Sequence, residues 1–321
     1  MNNILLVEKN NINENDKPLS KLFLKNRIYL DNLQVENSLC YEDMLATFLR
    51  ENKFKFSDDE VFNQRVNVKM LFEIVYEFFR NLDSEMFTDF FNLFANNKKN
   101  LIFVPVSPTK SCVGITYQRK DDVVIKMNRY KTIKDIFTLV HEYGHAINMK
   151  KNPDSYYDPV HQNFEEIESV FLELILCDYL EKQGFDKEDI DTMKIQIIED
   201  LTSDVENVYF KYKINKFMHE EQIKNIDSNF FKELYQKRNI TKEELRKVYK
   251  CSFEEIIKYV ISTFYSLELY DLFLHNKDLA LKYYKEIISL KLCSISDYID
   301  VMESKFIVPN ESDAFIRTLK K

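Results

Sequence analysis

Glycine is nearly absent from this chain, with three in 321 residues. With so few residues that break a helix or turn left-handed without steric cost, the sequence is committed mostly to helix. The five cysteines are odd in number and have no C-x-x-C spacing. That excludes a disulfide framework and a cysteine-held zinc site, and leaves the reduced, packed thiols of a cytoplasmic protein. No apolar run reaches 18 residues, and the stretch from Met1 to Glu8 is too short in apolar length for a secretory signal. Neither a membrane span nor export is expected. Blocks of like charge are missing as well. The net charge is −8 with Lys, Glu and Asp interspersed, which argues against a nucleic-acid partner.

What is present is ample core material, 45% hydrophobic and 14% aromatic. Its periodicity is helical through Val61, Val66, Leu71, Ile74, Val75 and Phe78, behind a capping box at Ser57-Asp58-Asp59-Glu60, and another helix opens at Ser84. Leu101 to Val106, Ser111 to Tyr117 and Val123 to Met127 are apolar and β-branched, broken by Ser107-Pro108 and by the polar turn Gln118 to Asp122. They predict a small antiparallel sheet. An edge strand at Gly114-Ile115-Thr116 would pair with an extended peptide, main chain to main chain, and Gly114 permits close approach.

The chemistry concentrates in His141-Glu142-Tyr143-Gly144-His145. Side chains four apart on an α-helix stand one above the other, so His141 and His145 can reach one ion together. Glu142 is turned about 100° to one side, where a base for a metal-activated water belongs. This spacing points to zinc, which with two imidazoles and a carboxylate keeps one position open and serves peptide hydrolysis. Thr132 with Asp135 reads as the capping box of this helix, and Ile133, Ile136, Val140, Gly144 and Ile147 recur on the face away from the metal. Gly144 is costly inside a helix, so another backbone or the substrate should approach there.

A third ligand is needed, and the next helix supplies candidates. Asn163 is a good N-cap for a helix beginning at Phe164, which carries Glu165, Glu166, Glu168 and Glu173. Glu166 and Glu173 are seven apart and share an azimuth to within about 20°, opposite Phe164, Ile167, Phe171 and Leu174. Glu165 is turned about 100° from Glu166, and Glu168 about 160° the other way, toward the packed side. Glu166 is therefore the expected ligand, and Glu173 the expected acceptor for the far ring nitrogen of a ligating histidine. Glu166 also fits a plain capping-box role, three residues after Asn163.

The HEYGH sequence, its lead-in Asp135 to Val140, and the later Phe164 to Glu173 resemble the zinc helix and the following E-x-x-S-x-x-x-E helix of the oligoendopeptidase F and thimet oligopeptidase family. Gly114 to Tyr117 and Val123 to Asn128 resemble the strand pair that precedes that helix. The resemblance covers about residues 65 to 300. It implies a mainly α, zincin-type catalytic domain over residues 96–321, with residues 1–95 as a helical amino-terminal segment packed on it. It also implies one zinc per chain and endopeptidase action on oligopeptides or unfolded chains. Tyr259, in Lys258-Tyr259-Val260-Ile261-Ser262, resembles the segment whose tyrosine donates to the developing oxyanion. Ser252, Ile256 and Ile257 stand where relatives carry further tyrosines and often a histidine, which leaves a metal-containing peptide-binding protein with weak turnover as the competing reading. His161 is a candidate for lining the cleft, whereas His219 and His275 read as structural or surface residues. Full-length relatives have a large amino-terminal lobe. Only ~130 residues precede the zinc helix here, so a shallower channel is expected.

Overall fold

The computed structural model describes residues 48–50, 62–95, 98–106, 113–119, 122–153, 164–220, 231–233, 235–236, 241, 253–290, 295–305 and 307. The capping box expected at Ser57 to Glu60, the N-cap Asn163 and the cleft candidate His161 lie outside them. The chain forms two compact units, one of Met1–Lys53 with Leu201–Val260 and one of Phe54–Asp200 with Ile261–Lys321. In the first, Val205, Val208, Ile214 and Phe231 are buried. The second holds the zinc-type motif.

The second unit begins with α1 (Val68–Leu82), opened by Asn67, whose side chain accepts the Met70 N–H. Leu71, Val75, Phe78, Phe79 and Leu82 are its buried stripe. Asp83 both ends this helix and starts α2 (Ser84–Ala95). Its own N–H bonds the Phe79 carbonyl at 3.1 Å, while its carboxylate accepts the N–H groups of Glu85 at 2.9 Å and Met86 at 3.0 Å.

Three strands follow, β1 (Leu101–Val104), β2 (Gly114–Arg119) and β3 (Asp122–Asn128), in the order β1-β3-β2. β2 runs antiparallel to β3, with Arg119 opposite Asp122, but β1 runs parallel to β3. The sheet is thus mixed rather than wholly antiparallel. The apolar runs of β1 and β3 suit either direction, and only the path between them decides it.

Helix α3 (Lys134–Lys151) carries the histidine pair and packs against β2, β3, α1 and α4 (Ile167–Lys182). It is buried nearly all round, which explains why so many of its residues are apolar. Behind the motif, Tyr143 donates to the Met86 carbonyl at 2.9 Å and packs edge-on against Phe79 and Phe90, with centroids 4.6 and 5.1 Å away. Helices α1 and α2 therefore hold the back of the zinc-type helix. The expected Thr132–Asp135 capping box does not form. Asp135 instead accepts the N–H groups of Tyr130 and Lys131, and pairs with Arg129, so it ties down the turn before the helix. Lys131 takes a positive φ of 64° in that turn.

α4 starts at Ile167, after a turn over Phe164 to Glu166, and Gly184 at φ 73° follows its end. Helices α5 (Lys187–Glu220), α6 (Phe253–His275), α7 (Lys277–Ile287) and α8 (Ile295–Ser304) follow.

Candidate metal centre

His141 and His145 rise from one face of α3, and their Nε2 atoms are 3.3 Å apart. Glu166 enters from the start of α4, where one oxygen, Oε2, lies 3.5 Å from His141 Nε2 and 3.4 Å from His145 Nε2. Ser169, one turn further on, donates to that same oxygen at 2.9 Å and keeps the carboxylate turned inward. Two imidazole nitrogens and a carboxylate oxygen are thus aimed at a common point.

The size of this triangle matters. Ligands about 2.0–2.1 Å from a tetrahedral zinc stand about 3.3–3.4 Å from one another. The observed separations of 3.3, 3.4 and 3.5 Å fit that spacing. Lone pairs brought so close repel one another unless a cation or a proton lies between them. The surrounding charge favours a cation. Burial disfavours a charged His141, yet the Glu173 and Glu166 carboxylates outweigh it and raise its pKa to about 9. Burial likewise opposes the charge on His145, and Glu166 and Glu168 raise its pKa well above the ordinary imidazole value. The residues present therefore fit a zinc ion, whose binding would displace those protons.

The far ring nitrogens are also engaged. His141 Nδ1 lies 3.4 Å from Glu173 Oε1, so Glu173 stands where an orienting acceptor is needed. His145 Nδ1 lies 3.1 Å from Glu168 Oε1. By its azimuth Glu168 faces the packed side of its helix. That side is the zinc-type helix itself, because Gly144 brings the two backbones together. A Cβ on Gly144 would stand 2.6 Å from the Glu168 carbonyl oxygen and 3.0 Å from Ser169 Cα. The close neighbour expected at Gly144 is thus a backbone. Burial pushes the Glu168 carboxyl up to about 7, against the lowering pull of His145 and Asn148.

Glu142 is 6% exposed and is met by strand β2. The Thr116 hydroxyl lies 2.7 Å from Glu142 Oε2 and 2.8 Å from the Glu142 carbonyl oxygen. At Gly114 a Cβ would stand 2.5 Å from Glu142 Oε1. Two of the three residues expected to meet a peptide, Gly114 and Thr116, therefore face the candidate base. Ile115, on the other face of the strand, is half exposed. β2 is an edge strand among the described residues. Tyr259 belongs to the other compact unit, in the second turn of α6, with 40% of its surface exposed.

A buried HExxH helix with a glutamate from the next helix defines the metallopeptidase class of site. The model of peptidase family M3 matches residues 42–294, and the chain belongs to that family. Solved structures give the same fold. A protein from Bacillus anthracis assigned as an oligoendopeptidase F is 14% identical, with a TM-score of 0.53 over 93% of this chain and 54% of its own. A protein from Chlamydophila abortus assigned as a peptidase is 15% identical, with a TM-score of 0.56 over 94% and 55%. PZ peptidase A, solved with an inhibitor, is 15% identical, with a TM-score of 0.54 over 94% and 57%. The chain thus spans a little over half the length of these structures. No curated protein matches it. Among the described residues, no helix is long and apolar enough to cross a membrane.

Proposed function

We propose that this chain is a zinc-dependent endopeptidase in which His141, His145 and Glu166 hold one zinc ion and Glu142 is the general base. The observation that carries this reading is the triangle of donor atoms with edges of 3.3–3.5 Å. A zinc ion held by His141, His145 and Glu166 would supply Lewis acidity toward the scissile carbonyl and toward a water molecule. The Glu142 carboxylate would take up the proton of the attacking water and return it to the nitrogen of the leaving amine. Thr116 and the bare backbone of Gly114 keep the Glu142 side chain in place for both transfers. Glu173 and Ser169 orient His141 and Glu166.

The substrate is an extended peptide segment, in an oligopeptide or an unfolded chain. Strand β2 supports this assignment: among the described residues it is a sheet edge, and its residues 114 and 116 line the base, so a segment paired to it runs past the reacting groups. A folded substrate would have to release its own backbone hydrogen bonds first. A cytoplasmic location is part of the same reading, in keeping with Cys177, a buried free thiol.

The testing experiment pairs metal analysis with mutation. His141→Ala, His145→Ala and Glu166→Ala should each weaken zinc binding, whereas Glu142→Gln should keep the metal and lose cleavage. Loss of zinc from Glu142→Gln would overturn the division of roles.

A further inference from the structure

We propose that Glu168 is a positioning residue for zinc binding: its Oε1 holds the Nδ1–H of His145 and thereby turns the lone pair of His145 Nε2 into the ligand triangle. The inference rests on the zinc reading above and adds a residue that the ligand set does not include. Three observations carry it. Glu168 Oε1 lies 3.1 Å from His145 Nδ1, on the opposite side of the ring from Glu166. The Glu168 side chain is 1% exposed, and its carboxylate is served by His145 and by the Asn148 side chain, neither of them a permanent cation. Its backbone is fixed from two directions, by the Tyr284 hydroxyl, which donates to the Glu168 carbonyl at 2.8 Å, and by Gly144, which leaves no room for movement toward α3.

The second observation bears on what the residue is for. A buried carboxylate is a costly device for holding two helices together, because desolvation penalises it even where an imidazole and an amide partner it. The same carboxylate suits an imidazole that must present one nitrogen to a cation. It fixes the tautomer, sets the ring plane and makes the far nitrogen a stronger donor. Zinc affinity should therefore follow the acceptor oxygen at residue 168 and not the bulk of the side chain.

The test measures zinc affinity of the full chain by competition with a chromophoric chelator, together with the melting temperature of the zinc-free protein, for wild type, Glu168→Gln and Glu168→Met. Glu168→Gln keeps the shape and an acceptor oxygen but not the charge. Glu168→Met keeps only approximate size. The expected result is that Glu168→Met weakens zinc about 10–100-fold and that Glu168→Gln, which keeps an acceptor for the Nδ1–H, weakens it clearly less. Unchanged zinc affinity in both variants overturns the proposal. So does an equal loss in the two, which marks a structural role. The zinc-free melting temperature checks that each variant is folded, and if Glu168→Met is not, Glu168→Leu takes its place in the comparison. Wild-type protein that takes up no zinc overturns the underlying metal reading, an outcome distinct from the other two.

Discussion

The Cβ that Gly144 lacks would stand 2.6 Å from the carbonyl oxygen of Glu168, so the helix bearing the two histidines and the helix bearing the glutamates touch backbone to backbone. That contact sets the distance from His145 to both Glu166 and Glu168. Alanine at position 144 would improve helix propensity by roughly 0.8–1.0 kcal/mol. Overpacking typically costs about 1–3 kcal/mol, and the atoms in the way are backbone, which cannot swing aside. Gly144→Ala should therefore be destabilised in denaturant titration and bind zinc more weakly. A variant more stable than wild type, with zinc affinity intact, would mean that the helices separate freely.

Strand β2 acts on the base and not on the ligands. Thr116→Val removes the hydroxyl 2.7 Å from Glu142 Oε2 while nearly preserving shape, and Thr116→Ser keeps it. Cleavage kinetics should show kcat about tenfold lower for Thr116→Val, zinc content unchanged, and most of the rate restored in Thr116→Ser. Equal rates in all three proteins would leave Thr116 a packing residue.

Gly114→Ala forces a related displacement. The added methyl group meets the Glu142 carboxyl at 2.5 Å, and the flexible end of that side chain is what must give way. Activity should fall with metal retained, whereas Gly144→Ala weakens the metal itself. Zinc content measured beside kcat for both variants separates the two effects.

Asp83 gives a prediction about stability alone. Burial tends to raise its carboxyl, but the Met86 N–H, Lys285 and the Glu85 N–H together hold it below the ordinary value of 3.8. A carboxylate depressed on folding contributes stability that is present above its unfolded pKa and is lost as pH falls through the lower folded value. Asp83→Ala should cost about 0.5–2 kcal/mol near neutral pH, as a lost N-cap does. The gap to wild type should narrow below about pH 4. A gap independent of pH would show that the carboxylate charge is not what matters.

The convergence of His141, His145, Glu166 and Glu173 was legible in the sequence because helical azimuths follow from spacing alone. Glu168 was not. Its azimuth was read well enough, but sequence patterning equates a packed side with an inert one, and here the packed side is the ligand-bearing helix. The sheet was found at the right runs, yet the parallel pairing of β1 with β3 was hidden, since an apolar strand looks alike in either direction. Thr132 and Asp135 matched a capping pattern, but Arg129 and the N–H groups of Tyr130 and Lys131 claim the Asp135 carboxylate. Such long-range and turn contacts leave no local signature.

The most direct test of the account is cleavage of an internally quenched, unstructured peptide of about ten residues, followed before chelation, after zinc removal and after zinc is restored. The account predicts cleavage that stops on removal, returns with about one equivalent of zinc, and is absent at every stage in Glu142→Gln. Cleavage that persists without metal, or that Glu142→Gln carries out as fast as wild type, would contradict it.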